Sequence, residues 1–225
     1  MGEEYFDTYA EADAIEWYLK AARQGHIMAM NKCAILLEKN YDYEEAYKWY
    51  LKAANNGVPY SMYKVGYFLY YKRKSVKEDT NDAYDWYLKA AKKKEPNAMY
   101  ELGWLHHLEE DYSKAYEWYL KAANLGVVNA QNNIAKLLIY GKGVKKDYKK
   151  ACEWWNRAIA DDSSAVLDYA KAVGDVACDE KDYNKYNKAC DLFKEAIRWG
   201  NKLAESEYNK FIKCANKVKW KKIKE

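Results

Sequence analysis

The sequence predicts an all-α fold, a solenoid in which about twelve helices pair into stacked hairpins. The first observation behind this prediction is a recurring segment, whose first copy reads Ala-Ile-Glu-Trp-Tyr-Leu-Lys-Ala-Ala. Successive copies begin 32, 37, 32, 36 and 38 residues apart, intervals typical of a two-helix unit stacked on copies of itself. The second observation is composition, because 50% of the 225 residues are hydrophobic and only two are proline, enough to bury a large core. The copies begin at Ala14, Ala46, Ala83, Ala115, Ala151 and Ala189.

Each repeat is predicted to be a helical hairpin. In the third repeat, residues 97–108 and 113–123 both carry apolar residues at i, i+3, i+4 and i+7, as amphipathic helices do. A short polar turn of residues 109–112 separates the two helices. Small and large residues alternate on one face of the second helix, so a neighbouring helix can approach closely beside the indole ring. That face consists of Ala115, Trp118, Tyr119, Ala122 and Ala123.

Small residues mark the helix ends and the closest helix contacts. Four glycines directly follow the recurring segment, where a left-handed residue ends a helix without a Cβ clash: Gly25, Gly57, Gly126 and Gly200. Gly66 and Gly103 lie inside predicted helices and each cost about 1 kcal/mol relative to alanine, so we expect that no side chain fits there. Further predicted contact points are Ala29 and Ala34, Ser61, Ala98, Ala130 and Ala135, and Ala165 and Ala170.

The helices are predicted in order along the chain. We expect a first helix from Ala10 to Arg23, hairpins over residues 27–56, 59–93, 96–125, 128–160 and 163–199, and a last helix from Lys202 to about Lys217. The chain is interpreted as one repeat domain, residues 1–225. Residues 1–26 form an N-terminal half repeat, residues 27–200 the central hairpins, and residues 201–225 a capping helix with a lysine-rich tail.

Charge and cysteine content narrow the class of protein. The net charge of +4 results from 38 basic and 34 acidic residues, which gives no strong field for nucleic acid. No run of about 18 apolar residues and no signal peptide are visible, so we expect no membrane-spanning helix and a cytoplasmic protein. The five cysteines stand where the repeat places small apolar residues, and we expect buried free thiols in a reducing compartment. They are Cys33, Cys152, Cys178, Cys190 and Cys214.

One repeat resembles a known family. Residues 129–159 contain a G-x-G-V-x-x-D turn followed by a helix with lysine, alanine and tryptophan at fixed spacing. This pattern resembles the Sel1-like repeat, a relative of the tetratricopeptide repeat, and the resemblance covers nearly the whole chain, although only this repeat keeps the glycine turn. It implies a right-handed α-solenoid that acts as a non-enzymatic adaptor or scaffold for a protein partner. The matching residues are Gly141, Gly143, Val144, Asp147, Lys150, Ala151, Trp154 and Ala158.

The same resemblance implies where a partner binds. In tetratricopeptide folds the first helix of each hairpin lines a concave groove, and that geometry projects an aromatic, mildly basic set of side chains onto the groove. Tyrosine and tryptophan are common at binding hot spots, so we expect the groove to hold a peptide with apolar anchors and some acidic character. The alternative is that these tyrosines only fill space between helices, with their hydroxyls at the surface. The predicted partner-binding residues are Asn31, Tyr63, Tyr67, Tyr70, Tyr100, Trp104, His107, Asn132, Lys136 and Lys171.

A residue that recurs in every repeat indicates packing rather than a single site. Six equivalent positions of the second helices are therefore predicted to be core anchors, and truncating an interior one to alanine is expected to cost about 3 to 5 kcal/mol. They are Trp17, Trp49, Trp86, Trp118, Trp154 and Leu192.

No other chemistry is indicated. His106 and His107 are adjacent on a predicted helix, so their side chains diverge by about 100° and do not form a metal pair. No nucleophile or phosphate-binding motif occurs, and we expect no catalytic, cofactor or metal site. The alternative function is binding of nucleic acid or an anionic membrane surface through the lysine-rich tail, residues 210–225.

Overall fold

The computed structural model of the chain describes residues 14–71, 83–161 and 165–218. Within these residues it contains twelve helices and no strands, as the sequence predicts. The helices are α1 (residues 14–23), α2 (Ile27–Lys39), α3 (Tyr43–Asn55), α4 (Pro59–Tyr71), α5 (Ala83–Lys92), α6 (Pro96–Leu108), α7 (Tyr112–Ala123), α8 (Val128–Tyr140), α9 (Tyr148–Asp161), α10 (Ala165–Glu180), α11 (Tyr183–Arg198) and α12 (Ala204–Ala215).

The contacts within the chain group the helices into two compact units. Unit 1 is Met1–Leu102 and unit 2 is Gly103–Glu225, so the boundary falls within α6. In unit 1, α3 packs against both α2 and α4, and α5 packs against α4. In unit 2, α8 packs against α7 and α9, and α10 packs against α9, α11 and α12. Both units are therefore built from helical hairpins whose first helices are even-numbered and whose second helices are odd-numbered.

The helix ends follow the predicted chemistry. Gly25, Gly57, Gly126 and Gly200 all have positive φ, between 77° and 91°. This left-handed conformation confirms that they terminate the second helices of their hairpins. At the beginning of several second helices an aspartate accepts a hydrogen bond from a first-turn N–H, as the Asp42 carboxylate does from the backbone N–H of Glu45 at 3.3 Å.

One aromatic side chain is completely enclosed in each second helix from α3 to α11, whereas Tyr18 at the equivalent position of α1 is 37% exposed. The enclosed residue directly follows the recurring tryptophan position, and at most 1% of it is exposed. The glycines inside first helices make room for it: a Cβ on Gly66 would lie 2.8 Å from Cε1 of Tyr87, and one on Gly103 would lie 2.6 Å from Cδ1 of Tyr119. The prediction that no side chain fits at these glycines is confirmed. The enclosed residues are Tyr50, Tyr87, Tyr119, Trp155 and Phe193.

The predicted tryptophan anchors are less buried than expected. Trp49 and Leu192 are buried, whereas Trp17 is 70% exposed, and the prediction is wrong for it. The other three, Trp86, Trp118 and Trp154, are half-buried. Adjacent residues of a helix point about 100° apart, so when the following residue faces the core the tryptophan flanks it.

A basic side chain lies over the ring of each of the five tryptophans at the recurring position, and it belongs to the residue three positions after that tryptophan. This cation–π contact partly covers indole rings that the core does not enclose. The distance from the cation to the ring centroid runs from 3.9 Å for Lys121 over Trp118 to 5.5 Å for Lys20 over Trp17. The other three pairs are Lys52 over Trp49, Lys89 over Trp86 and Arg157 over Trp154.

The cysteines and the tail differ in part from expectation. Cys33 and Cys190 are buried, but Cys152 and Cys178 are half-buried and Cys214 is exposed, so the prediction of burial is wrong for Cys214. Residues 219–225 of the lysine-rich tail lie outside the described residues.

Two adjacent tryptophans test the burial pattern. Trp155 is fully enclosed and its Nε1 donates to Asn132 Oδ1 at 2.6 Å, so Trp155→Ala should lower the free energy of unfolding by about 3 to 5 kcal/mol. Trp154→Ala removes a half-buried ring and its contact with Arg157, and should cost only about 1 kcal/mol. Urea denaturation followed by circular dichroism measures both. An equal loss of unfolding free energy in the two variants would show that both rings contribute equally to the core.

Gly103 tests the close contact between α6 and α7. Gly103→Ala should destabilise the protein by about 1 to 3 kcal/mol, because the overpacking against Tyr119 outweighs the roughly 1 kcal/mol gain in helix propensity. The control is the same change in a Tyr119→Ala background, where space is available and alanine should stabilise the helix. A destabilisation of equal size in both backgrounds would mean that the ring is not what excludes the side chain.

Candidate partner-binding faces

Five tyrosines form a continuous surface on α4 of unit 1. They lie within about 100° of the helix circumference, and we call them the tyrosine face: Tyr60, Tyr63, Tyr67, Tyr70 and Tyr71. Their ring centroids are separated by 5.9 Å between Tyr60 and Tyr63, 6.2 Å between Tyr63 and Tyr67, and 4.8 Å between Tyr67 and Tyr71. Tyr71 is 44% exposed and the other four are half-buried. Three of the predicted partner-binding residues therefore lie together here, and a fourth, Tyr100, is half-buried on α6 of the same unit.

A partly buried ion pair lies beside the tyrosine face at the junction of α2, α3 and α4. The ammonium Nζ of Lys64 is 2.6 Å from Oε1 of Glu38, and the Tyr50 hydroxyl donates to Oε2 of the same carboxylate at 2.8 Å. Lys64 is only 9% exposed, and its ammonium lies 4.9 Å from the centroid of the Tyr67 ring. The Glu38 carboxylate is thus neutralised by a cation and hydrogen-bonded on both oxygens.

Another carboxylate of unit 1, that of Glu101, is buried and has no such cationic partner among the described residues. Glu101 on α6 is 7% exposed and accepts one hydrogen bond, at 3.0 Å from the Tyr71 hydroxyl. Burial raises the pKa of Glu101, and the hydrogen bond from Tyr71 only partly opposes this shift. The neighbouring Tyr87 is fully buried, and its hydroxyl has no hydrogen-bond partner among the described residues. Burial, followed by the nearby Glu101 carboxylate, raises the pKa of Tyr87.

In unit 2, predicted polar site residues are used within the protein. Asp168 of α10 accepts hydrogen bonds from Asn132 Nδ2 and Lys136 Nζ, both at 2.7 Å. Burial alone would raise the pKa of Asp168, but the bonds from Lys136 and Asn132 hold it below its ordinary value. Lys171 pairs with Glu207 of α12 at 3.6 Å. These side chains connect consecutive first helices of unit 2.

Asn31 is used in the same way in unit 1. It is 7% exposed and its Oδ1 accepts a hydrogen bond from the Ser61 hydroxyl at 2.8 Å, which joins α2 to α4. The Asn31 side chain is therefore enclosed and already hydrogen-bonded within unit 1, and its contact with a partner stays a prediction.

The remaining predicted residues lie together in unit 2. Trp104 and His107 are half-buried on α6 and their rings stack with centroids 5.9 Å apart. Tyr112 approaches His107 edge-on at 5.1 Å. Burial, with Lys142 and Lys136 as further causes, lowers the pKa of His107, so the ring is neutral near pH 7.

A groove of about 480 Å³ lies between α10 and α12. The residues that line it include Gly174, Phe211, Cys178 and Cys214.

Among the residues that the structure describes, no group of three or more His, Cys, Asp or Glu is placed to hold a metal ion. Nor is any helix in that part of the chain long and apolar enough to cross a membrane.

Two carboxylates that border the tyrosine face, Glu38 and Glu101, were not predicted from the sequence. A signal for them exists in the repeat. Lys64 and Glu101 are 37 residues apart, and so are the two alanines that begin the second and third copies of the recurring segment, Ala46 and Ala83. The two side chains therefore occupy equivalent positions with opposite charge.

Solved structures of two bacterial repeat proteins are similar to this chain. A protective antigen, c5321, of uropathogenic Escherichia coli strains with an SLR fold is 25% identical, with a TM-score of 0.72 over 90% of this chain. This chain spans only 46% of that antigen's length. A Sel1 repeat protein from Oxalobacter formigenes is 24% identical, with a TM-score of 0.70 over 96% of this chain and 98% of its own. The second likeness shows the fold alone.

No curated protein matches the chain by sequence. The family model for the Sel1 repeat matches residues 11–26, 29–58, 59–94, 96–127 and 128–163, which is more than half of the chain. Four of these five stretches each correspond to one hairpin of the structure, from α2 and α3 to α8 and α9, although the first of the four begins two residues inside α2. The chain therefore belongs to the Sel1 repeat family.

Proposed function

We propose that this chain is a non-enzymatic adaptor that holds a partner protein on the first helices of its hairpins, with the tyrosine face of unit 1 as the principal contact. Proteins built from Sel1 repeats generally mediate protein–protein interactions. The observation that carries the proposal is the unbroken series of five tyrosine rings along α4.

The packing of the tyrosine face supports a binding role. Its rings are fixed by buried neighbours, since Tyr63 packs against Tyr87 with ring centroids 6.2 Å apart and Tyr67 packs against Phe68 with ring centroids 6.3 Å apart. Rings that are already fixed lose little conformational freedom on binding, and each tyrosine combines an apolar ring with a polar hydroxyl. Tyrosines of this kind are enriched among residues that dominate interface energy.

In unit 2, the stacked rings of Trp104 and His107 provide a second contact patch. Asn132, Lys136 and Lys171 contribute indirectly, because each is already hydrogen-bonded or ion-paired with an acidic residue on the next first helix. Their role in this proposal is to fix the spacing between α8, α10 and α12.

The non-enzymatic and cytoplasmic parts of the proposal rest on the family and on the thiols. Burial raises the pKa of the Cys33 thiol to about 11, so this cysteine remains protonated and is a poor nucleophile. All five cysteines are free in the structure, which is consistent with a reducing compartment. The net charge of +4 does not favour nucleic acid as the partner.

A pair of matched variants tests the adaptor proposal. Tyr63→Ala/Tyr67→Ala should reduce capture of a specific protein from lysate of the source organism by roughly tenfold or more, because truncating two hot-spot residues costs a few kcal/mol of binding. The control is Tyr41→Ala, which removes a tyrosine that is 77% exposed and lies outside the tyrosine face. Quantitative mass spectrometry of the captured material measures the effect.

Thermal denaturation of the variants must accompany the capture experiment. A drop in capture while the melting temperature stays within a few degrees supports the adaptor proposal. Equal capture by the native chain and both variants contradicts it, and so does a loss of capture that occurs only together with unfolding.

A further inference from the structure

We infer that the junction of α4, α5 and α6 in unit 1 is a receptor for a cationic side chain, the guanidinium group of an arginine in the partner protein. Glu101 and Tyr87 would receive the guanidinium beside the rings of Tyr67 and Tyr71. This inference rests on the proposed function, since it names the chemistry that the tyrosine face recognises.

The preceding junction of the same unit supplies the template. There, Glu38 provides a carboxylate, Tyr50 donates to it from the second helix, and the Lys64 ammonium neutralises it. The next junction repeats the tyrosine, because Tyr87 follows Tyr50 by 37 residues, and places Glu101 where Lys64 stood. It therefore has a buried carboxylate and a buried tyrosine hydroxyl but, among the described residues, no cation paired with them.

Glu101 and Tyr87 each lack a favourable polar interaction, and one ligand can supply both interactions. A buried carboxylate without an opposite charge is unfavourable, which is why the pKa of Glu101 is raised by burial. A buried hydroxyl without a partner is unfavourable as well. A guanidinium has several N–H donors in a fixed plane, so it can donate to the Glu101 carboxylate and to the Tyr87 oxygen at once.

The rings beside the carboxylate favour arginine over lysine. Tyr67 and Tyr71 lie 4.8 Å apart between centroids, and a flat, weakly hydrated guanidinium stacks on such rings better than an ammonium does. The charges of this region favour a cationic ligand as well. Lys64 already neutralises Glu38, but Glu101 and the half-buried Glu95 have no basic ion-pair partner among the described residues. The acidic partner expected from the sequence suits this face less well than a basic one.

The unliganded protein offers a first test through its pH dependence. Because the pKa of Glu101 is higher in the folded than in the unfolded state, the folded state binds more protons between the two values. The free energy of unfolding should therefore fall as pH rises through this range, from about pH 4 upward, and Glu101→Gln should remove that part of the slope. Urea denaturation at a series of pH values measures it, with Glu44→Gln on the exposed side of α3 as control. An unchanged slope in Glu101→Gln would overturn the inference, since the carboxylate would then carry no uncompensated charge.

Binding is tested with small probes on the full chain. Titration of the tyrosine-ring resonances by nuclear magnetic resonance compares N-acetyl-arginine amide with N-acetyl-citrulline amide, a neutral ligand of nearly the same shape. We expect the arginine probe to bind at least roughly tenfold more tightly, and expect Glu101→Gln to abolish this difference. Tyr87→Phe should weaken the arginine probe severalfold, whereas Glu44→Gln should leave it unchanged. Binding should also lower the pKa of Glu101, which a purely structural role for the carboxylate would not predict.

Equal affinity for the arginine and citrulline probes, or arginine binding that survives Glu101→Gln, overturns the inference. Equal binding of N-acetyl-lysine amide overturns the assignment to arginine. If Tyr63→Ala/Tyr67→Ala loses its captured protein but no arginine probe binds the native chain, the adaptor proposal stands and the receptor does not. If the arginine probe binds through Glu101 while capture is insensitive to the tyrosine variants, the receptor stands and the adaptor proposal fails.

Discussion

The structure depends on one enclosed aromatic ring from each second helix from α3 to α11, which packs between neighbouring first helices. In unit 1, Tyr50 hydrogen-bonds to Glu38 on α2 and packs against Phe68 on α4, with ring centroids 5.9 Å apart. In unit 2, Trp155 does the same between Asn132 on α8 and Tyr169 on α10, where the ring centroids are 4.9 Å apart. The ring sets the distance between neighbouring hairpins, and small residues such as Gly66 and Gly103 give it room.

This constraint also links the core to the candidate face. An aromatic ring long enough to pass between two first helices places its polar end among the side chains that those helices present. The Tyr50 hydroxyl and the Trp155 indole N–H both meet a partner there, while the Tyr87 hydroxyl does not. A change that alters how such a ring packs should therefore alter the face as well, because the same residue serves both.

The fold could be predicted from the sequence because the recurring segment determines it. The polar contacts between helices could not be predicted in this way. Helix positions and the tightly packed glycines follow from local spacing, whereas the burial of Trp17 depends on which of two adjacent residues faces the core, a rotation of about 100°. The partners of Asn31, Lys136 and Lys171 lie 30, 32 and 36 residues away. These separations are close to one repeat, so complementary polar residues one repeat apart are the signal that would have identified them as internal pairs.

In a repeat protein, a residue that makes the same contact in every repeat is explained by packing. A residue that lacks that contact in one repeat needs another explanation. The carboxylates of Asp168 and Glu207 are each ion-paired across a helix junction in unit 2, and Glu38 is ion-paired in unit 1. Glu101 is only 7% exposed, yet among the described residues a single tyrosine hydroxyl is its hydrogen-bond partner. Replacing it with an apolar residue would relieve that cost within the fold. The presence of a carboxylate at this position is therefore better explained by the proposed cationic ligand than by the stability of the hairpins.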